Sequence, residues 1–281
     1  MVLEGAEADL RLQTNAFDGD RLASVPDDAL SVSELRARAA NLFYRVAVED
    51  WKHAKALMDR AVHLNPDDGV ALAMRAEAQF TLSASVYEIP DADTLADMQA
   101  DLDRAVENSG SSDYVFWSRG IFRVLCLGDV SGADSDLAIC RRLNAAYMEA
   151  HELDGHLKMM REDYLGAAQS YELLLQRQTH DPLISMRGFM RSVALYCAGE
   201  FDAAASQAKL DADLRPTEWM LQAFCAMTLD AAGDGSGADR YRQKASRMPR
   251  NPSICGRRPV LPPAQETLAL QLSSAFRSGN L

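Results

Sequence analysis

Basic residues are scarce in this sequence: 29 lysines and arginines stand against 41 acids, a formal net charge of −12. Contact with a phosphate backbone needs a basic footprint, so no nucleic-acid partner is expected from this balance. Long apolar runs are missing too. None approaches the roughly 18–20 residues of a membrane helix, so no membrane partner is expected either. The start, MVLEGAEADLRL, lacks a basic region followed by an apolar core and does not read as a signal peptide. Aromatics make up only 7% of the chain, while alanine is abundant, which favours close-packed helices over β-structure. The five cysteines (Cys126, Cys140, Cys197, Cys225, Cys255) are odd in number, widely spaced and never CxxC. That spacing gives no support to disulfide staples or a zinc finger, and it favours a cytoplasmic location. Ten prolines and 16 glycines are too few for a disordered or fibrous chain. A length of 281 residues at 48% hydrophobic is ample for a sizeable core.

What is present is a repeat. EDWKHA (49–54), REDYLGA (161–167) and GEFDAA (199–204) each place a small or acidic turn, a bulky residue, and an alanine three positions on. GDVSGA (128–133) and GDGSGA (233–238) keep the turn with a smaller residue at the aromatic place. Anchored on Ala54, Met98, Ala133, Ala167, Ala204 and Ala238, the intervals are 44, 35, 34, 37 and 34 residues. Four residues after each anchor stand Met58, Leu102, Leu137, Tyr171, Ala208 and Arg242. Seven after it stand Ala61, Ala105, Cys140, Leu174, Asp211 and Ala245. Anchor, +4 and +7 share a helical face, so these positions predict a buried stripe on the second helix of each unit. Pro66 and Pro216, twelve after their anchors, stop two of those helices. Small residues for close helix crossing (Ala76, Gly120, Gly155, Ser192, Ala226) mark the first helices, and the 44-residue interval implies an insertion near SVYEIPDAD (85–93).

On these residues the chain resembles tetratricopeptide (TPR) repeats, 34-residue helix–turn–helix units with small residues in the first helix, an aromatic opening the second, an alanine spine and a terminal proline. The resemblance implies an all-α, right-handed α-solenoid of about six TPR-like repeats over residues 33–250. An N-terminal arm, or the remnant of a preceding domain, would occupy 1–32, and a linker with a C-terminal capping helix 251–281. LRARAANLFYRVAVEDWKHAKALMDRAVHLNPDDGVALAMRAEA (35–78) is further similar to the TPR-like region that follows the catalytic domain of bacterial class III adenylate cyclases. Related segments follow the DNA-binding domain of some winged-helix transcriptional regulators. The chain then reads as the regulatory part of such a protein, since 32 residues before the first repeat cannot hold a cyclase domain.

Such an array binds rather than reacts, with first helices lining a concave groove. Transferring the groove register of TPR arrays gives Phe122 in unit three and Glu149, Glu152, His156 and Met159 in unit four. It gives Met186, Phe189, Val193 and Tyr196 in unit five, and Met220, Ala223 and Met227 in unit six. Methionine recurs on surfaces that accept varied helices. The expected partner is therefore an amphipathic protein or peptide segment, from a second protein or from another domain of the same one, with a homo-oligomer as a further option. The alternative is a stand-alone sensor whose groove takes a peptide or small ligand.

Sharper chemistry fails on spacing, so no catalytic residue, metal or cofactor is expected. In HELDGH (151–156) the histidines are five apart, about 140° around a helix from each other, unlike the one-face pair of HExxH. Glu149, Glu152 and His156 do share a face, but read as a polar stretch of groove. GDGSGAD (233–239) lacks the strand and lysine of a P-loop and fits a hairpin turn. FDGDRL (17–22) reads as a turn, and DADTLADMQADLDRAVE (91–107) as a solvated acidic helix face. KASRMPRNPSICGRRP (244–259) carries five basic residues and no acid; it is either a solvated linker or a segment able to dock on an acidic face. Residues 264–277, with Leu268, Leu272 and Phe276 on one face, fit a final amphipathic cap.

Overall fold

The computed structural model describes residue 22 and residues 24–45, 47–85, 90–177 and 184–248. Among these there are twelve α-helices and no strand. They are α1 (Val32–Tyr44), α2 (Val48–Leu64), α3 (Gly69–Ser85), α4 (Ala92–Asn108), α5 (Asp113–Phe122), α6 (Val130–Leu143), α7 (Ala150–Met160), α8 (Tyr164–Arg177), α9 (Ile184–Cys197), α10 (Phe201–Leu214), α11 (Trp219–Ala231) and α12 (Gly235–Ser246). Consecutive helices pack as six hairpins, and the second helix of each packs on the first of the next. First helices also meet directly across α1–α3, α3–α5 and α5–α7. This is an α-solenoid of six TPR-like repeats. The expected cap at 264–277, like the turn at 17–22 apart from Leu22, lies outside the described residues.

The turn motif has a physical cause. In units three to six the residue ending the turn's approach is left-handed: Gly128 (φ 66), Gly199 (φ 81) and Gly233 (φ 84), with Glu162 (φ 61) at the equivalent place. Glycine adopts this region freely, whereas a side chain there is strained. In units three, four and six the acid that follows caps the second helix, whereas Glu200 makes no side-chain cap bond. Asp129, Asp163 and Asp234 accept from the backbone N–H of Gly132, Gly166 and Gly237 at 2.9, 3.0 and 2.9 Å, satisfying donors a helix start leaves orphaned.

All six anchors are buried, and so are all six +7 residues, Asp211 included. The +4 residues follow, except Arg242, which pairs with Asp239 at the surface. Glycine at the first-helix crossing is required by what faces it. A Cβ on Gly155 would stand 2.6 Å from the Tyr171 ring, which is fully buried. Beside four of the five crossing residues (Ala76, Gly120, Gly155 and Ser192), a polar clasp ties the two helices of one hairpin. Arg75 reaches Asp101 (2.5 and 2.7 Å), and Arg119 reaches Asp136 (2.6 and 3.1 Å), which Arg123 also holds. Ser170 donates to Asp154 at 2.6 Å, and Arg191 to Gln207 at 2.9 Å. The same place on the hairpin is thus filled four times with matched partners. The long interval arises from α3 and α4, 17 residues each, and from the connection between them, of which 86–89 lie outside the described residues.

The described part of the N-terminal arm is fastened to the first hairpin. Arg38, nearly buried, donates to the carbonyls of Leu22 and Val25 and pairs with Asp27, while Leu22 and Leu30 join the apolar core of units one to three.

Candidate functional site

The groove expected from the sequence would be lined by the first helices α3, α5, α7, α9 and α11. In α9 and α11, Met186, Phe189, Tyr196, Met220 and Met227 are all partly exposed, whereas Val193 and Ala223, expected in the same groove, are buried. Phe189 and Tyr196 stack edge-on against the buried Phe224 (centroids 5.0 and 6.2 Å), and Tyr196 also meets Phe201. This gives an apolar surface backed by rigid rings, with thioethers at its edge.

Three further expected groove residues are buried. Phe122 is 4% exposed and belongs to the core of units one to three. It follows the partly exposed Ile121, the residue beside Gly120, so its side chain turns into the stack. Met159 is 1% exposed in the core of the later units. His156 is buried between α7 and α8, its Nδ1 3.1 Å from the Tyr171 hydroxyl. Burial pushes its pKa down to about 4, so the ring is neutral over the ordinary pH range.

Glu149 and Glu152 are partly exposed, as expected, and face Arg187 of α9, which the repeat pattern does not mark. Itself buried, Arg187 lies 3.6 Å from Glu152 and 4.0 Å from Glu149. Glu77 of α3 adds a third carboxylate and accepts a short hydrogen bond from the Tyr114 hydroxyl of α5. The surrounding protein displaces water from Glu77, and Glu152 and Glu149 repel its charge. Together they raise its pKa to about 7, against the Tyr114 hydrogen bond and the pull of Arg187. Tyr114, Trp117 and Tyr147 form an aromatic bank beside these acids, with ring centroids 5.7 and 6.5 Å apart. The signal for Glu77, Tyr114 and Trp117 is present in the sequence. Counted from the crossing residues Ala76 and Gly120, they fall at the same groove places that Glu149, Glu152 and His156 take relative to Gly155.

The face therefore has two parts, an acidic and aromatic stretch over units two to four and a methionine-rich one over units five and six. A cleft between α3 and α5, lined by Glu77, Phe80, Trp117 and Ile121 among others, has room for about 20 Å³, one water. Among the described residues no cluster of three or more histidines, cysteines or acids could hold a metal ion. No described helix is long and apolar enough to cross a membrane. The thiols of Cys126, Cys140 and Cys225 are pushed up to about 12 and that of Cys197 to about 11, chiefly by burial, which keeps them protonated and unreactive.

No protein-family model matches the chain, and no curated protein matches it in sequence. Solved structures do match in shape. TTC0263, a TPR protein of Thermus thermophilus, superposes with a TM-score of 0.56 at 18% identity, covering 71% of this chain and 99% of that one. The fold is TPR-like. PilW, a type IV pilus biogenesis factor, gives a TM-score of 0.57 at 15% identity, with 76% and 91% covered. The human IFIT1 dimer with m7Gppp-AAAA gives 0.66 at 12% identity, with 94% of this chain and 58% of that one covered. The chain thus spans less than two thirds of the IFIT1 chains it matches.

The IFIT1 structures correct one expectation. They hold capped or triphosphate RNA, m7Gppp-AAAA in one and PPP-AAAA in another, so this fold can seat nucleic acid. Its exclusion on net charge does not stand. A charge summed over a whole chain says nothing about one face of it.

Proposed function

We propose that the chain is a non-catalytic binding module whose first-helix groove takes an amphipathic segment of a protein partner. Apolar side chains of the segment would lie on Met186, Phe189, Tyr196, Met220 and Met227, and a basic side chain would reach Glu77, Glu149 and Glu152. The observation that carries this reading is the juxtaposition on one face of a methionine and aromatic stretch with three carboxylates gathered around one arginine. Methionine adapts to varied apolar shapes, and partner charge complementarity sets register and encounter rate. The finer reading, a module that regulates an adenylate cyclase-like signalling protein, is supported by the likeness of residues 35–78 alone. A drug-sized ligand needs roughly 300–1,000 Å³, far more than the cleft between α3 and α5 provides, which favours a segment over a small molecule.

The test is fluorescence anisotropy with a labelled 18-residue peptide bearing leucines at helical spacing and arginines on one flank. A second peptide has glutamates for the arginines. The arginine peptide is expected to bind at least tenfold more tightly, and Met220→Ser with Met227→Ser to weaken it as much. Equal affinity for both peptides, or stronger binding of a 5′-triphosphate RNA oligomer competed by neither, would sink the reading.

A further inference from the structure

We infer that the cleft between α3 and α5 is a recognition subsite for one serine or threonine hydroxyl of the bound segment. This rests on the groove being the binding face. Two polar groups of residues that line the cleft meet no protein partner. The Trp117 indole N–H and the Ser118 hydroxyl make no hydrogen bond, although the residues are only 9% and 6% exposed. A buried donor without an acceptor is costly, and native folds keep few of them. Glu77 lines the same cleft, its carboxyl accepting from the Tyr114 hydroxyl, and the remaining wall is apolar, with Phe80 and Ile121.

Size and chemistry together select the occupant. About 20 Å³ admits one water or one group of its size, and excludes a ring or a long aliphatic side chain. A methyl group would leave both Trp117 and Ser118 unsatisfied. An ammonium would bring only donors toward an indole that can only donate. A carboxylate would set a second acid beside the Glu77 carboxyl. A hydroxyl can accept from Trp117, bond with Ser118 in either sense and offer its own hydrogen to Glu77. Water fits the unbound cleft in the same way, and it is displaced without loss only by a group that repeats its bonds. The cleft lies where the segment would pass: Glu77 and Ile121 stand one residue beyond Ala76 and Gly120, and both are partly exposed.

The test uses the full chain, nitrogen-15-labelled at its indoles, with the arginine-bearing 18-residue peptide as probe. Every peptide position other than leucine and arginine carries alanine, and serine is moved through these positions one at a time. Affinity is read by anisotropy. Trp51→Phe and Trp219→Phe leave the cleft intact and assign the Trp117 N–H resonance by exclusion among the three tryptophans. At one position serine is expected to tighten binding about fivefold over alanine, the worth of one hydrogen bond. Elsewhere it should weaken binding through its lower helix propensity. That peptide alone should shift the Trp117 N–H resonance, and Ser118→Ala should reduce its gain to about twofold. No position favouring serine, or a favoured position that leaves the Trp117 resonance unmoved, would overturn the subsite while the groove reading stands. Loss of binding by every peptide would overturn both.

Discussion

Asp211 is the one acid at a +7 place that every other unit fills with Ala, Cys or Leu, and replacing it should stabilise the protein in a pH-dependent way. Its side chain is 2% exposed and pressed against Gly188 of α9. Its Oδ1 accepts from Gln207 at 3.1 Å, while Oδ2 has no partner among the described residues. Burial raises its pKa from 3.8 to about 7, against the Gln207 hydrogen bond and the attraction of Arg191. The sign follows directly. Below about pH 4 the carboxyl is protonated folded or unfolded and costs nothing. As pH rises toward 7, the unfolded chain ionises and the folded one does not, so stability is lost across that window. A rise of that size corresponds to about 4 kcal/mol at pH 8, an upper value because relaxation and water entry lower it. Asp211→Ala removes the penalty and forfeits one hydrogen bond of about 1 kcal/mol. The net gain at pH 8 is then about 2–3 kcal/mol, turning into a loss of about 1 kcal/mol near pH 3.5. Urea unfolding followed by circular dichroism at pH 3.5, 5, 6.5 and 8 reads this out as a midpoint difference that changes sign. An equal effect at every pH would show that Asp211 is ionised in the fold and refute the reasoning.

Two further substitutions test the packing. Gly155→Ala should cost about 1–3 kcal/mol, because the Tyr171 ring it meets is rigid and buried. Gly120→Ala meets only the end of the Leu153 side chain and should cost less, a ranking that thermal unfolding checks. Glu162→Gly should raise stability by about 1 kcal/mol by relieving the left-handed residue at the unit-four turn; an unchanged or lower melting temperature would count against strain there. Acid unfolding tests His156 as well. Its pKa of about 4 against 6.5 means stability present above pH 6.5 is lost as pH falls toward 4, so His156→Gln should flatten the curve in that window alone.

The hairpin count and the buried stripe were legible because they are one-dimensional. Burial of Ala54, Ala133 and Ala204 follows from spacing along single helices, and the turn acids announce their own caps. The partly exposed side of the first helices was legible only as far as the crossing residue set its phase. Glu149, Glu152, Met186 and Met220 follow from Gly155, Ser192 and Ala226. Phe122 stands two residues past Gly120 instead of one, and a register placed on it misses Tyr114 and Trp117; Glu77, one past Ala76, belongs to a unit to which that register was not applied. His156 and Met159 have the right phase and are still buried, since α8 brings Tyr171 over His156 and depth in a stack depends on neighbours far along the chain. Arg187 carries no periodic signal at all. Its place among carboxylates exists only once α9 is laid beside α7.

Charge placement inside the hairpins explains why Asp211 differs from its buried counterparts. Asp101 and Asp136 stand three residues after their anchors, where the first helix offers Arg75 or Arg119 in a two-pronged grip. Removing one partner of such a buried pair leaves a charge uncompensated, which is why they occur matched. In unit five the clasp place holds Gln207, and Arg191 is engaged by it and by Glu172. The acid sits one helical turn further on, opposite Gly188, where no side chain can extend to meet it. The same acid is thus tolerated at little cost at one register position and at a high cost four residues later. The difference lies entirely in what the facing helix presents.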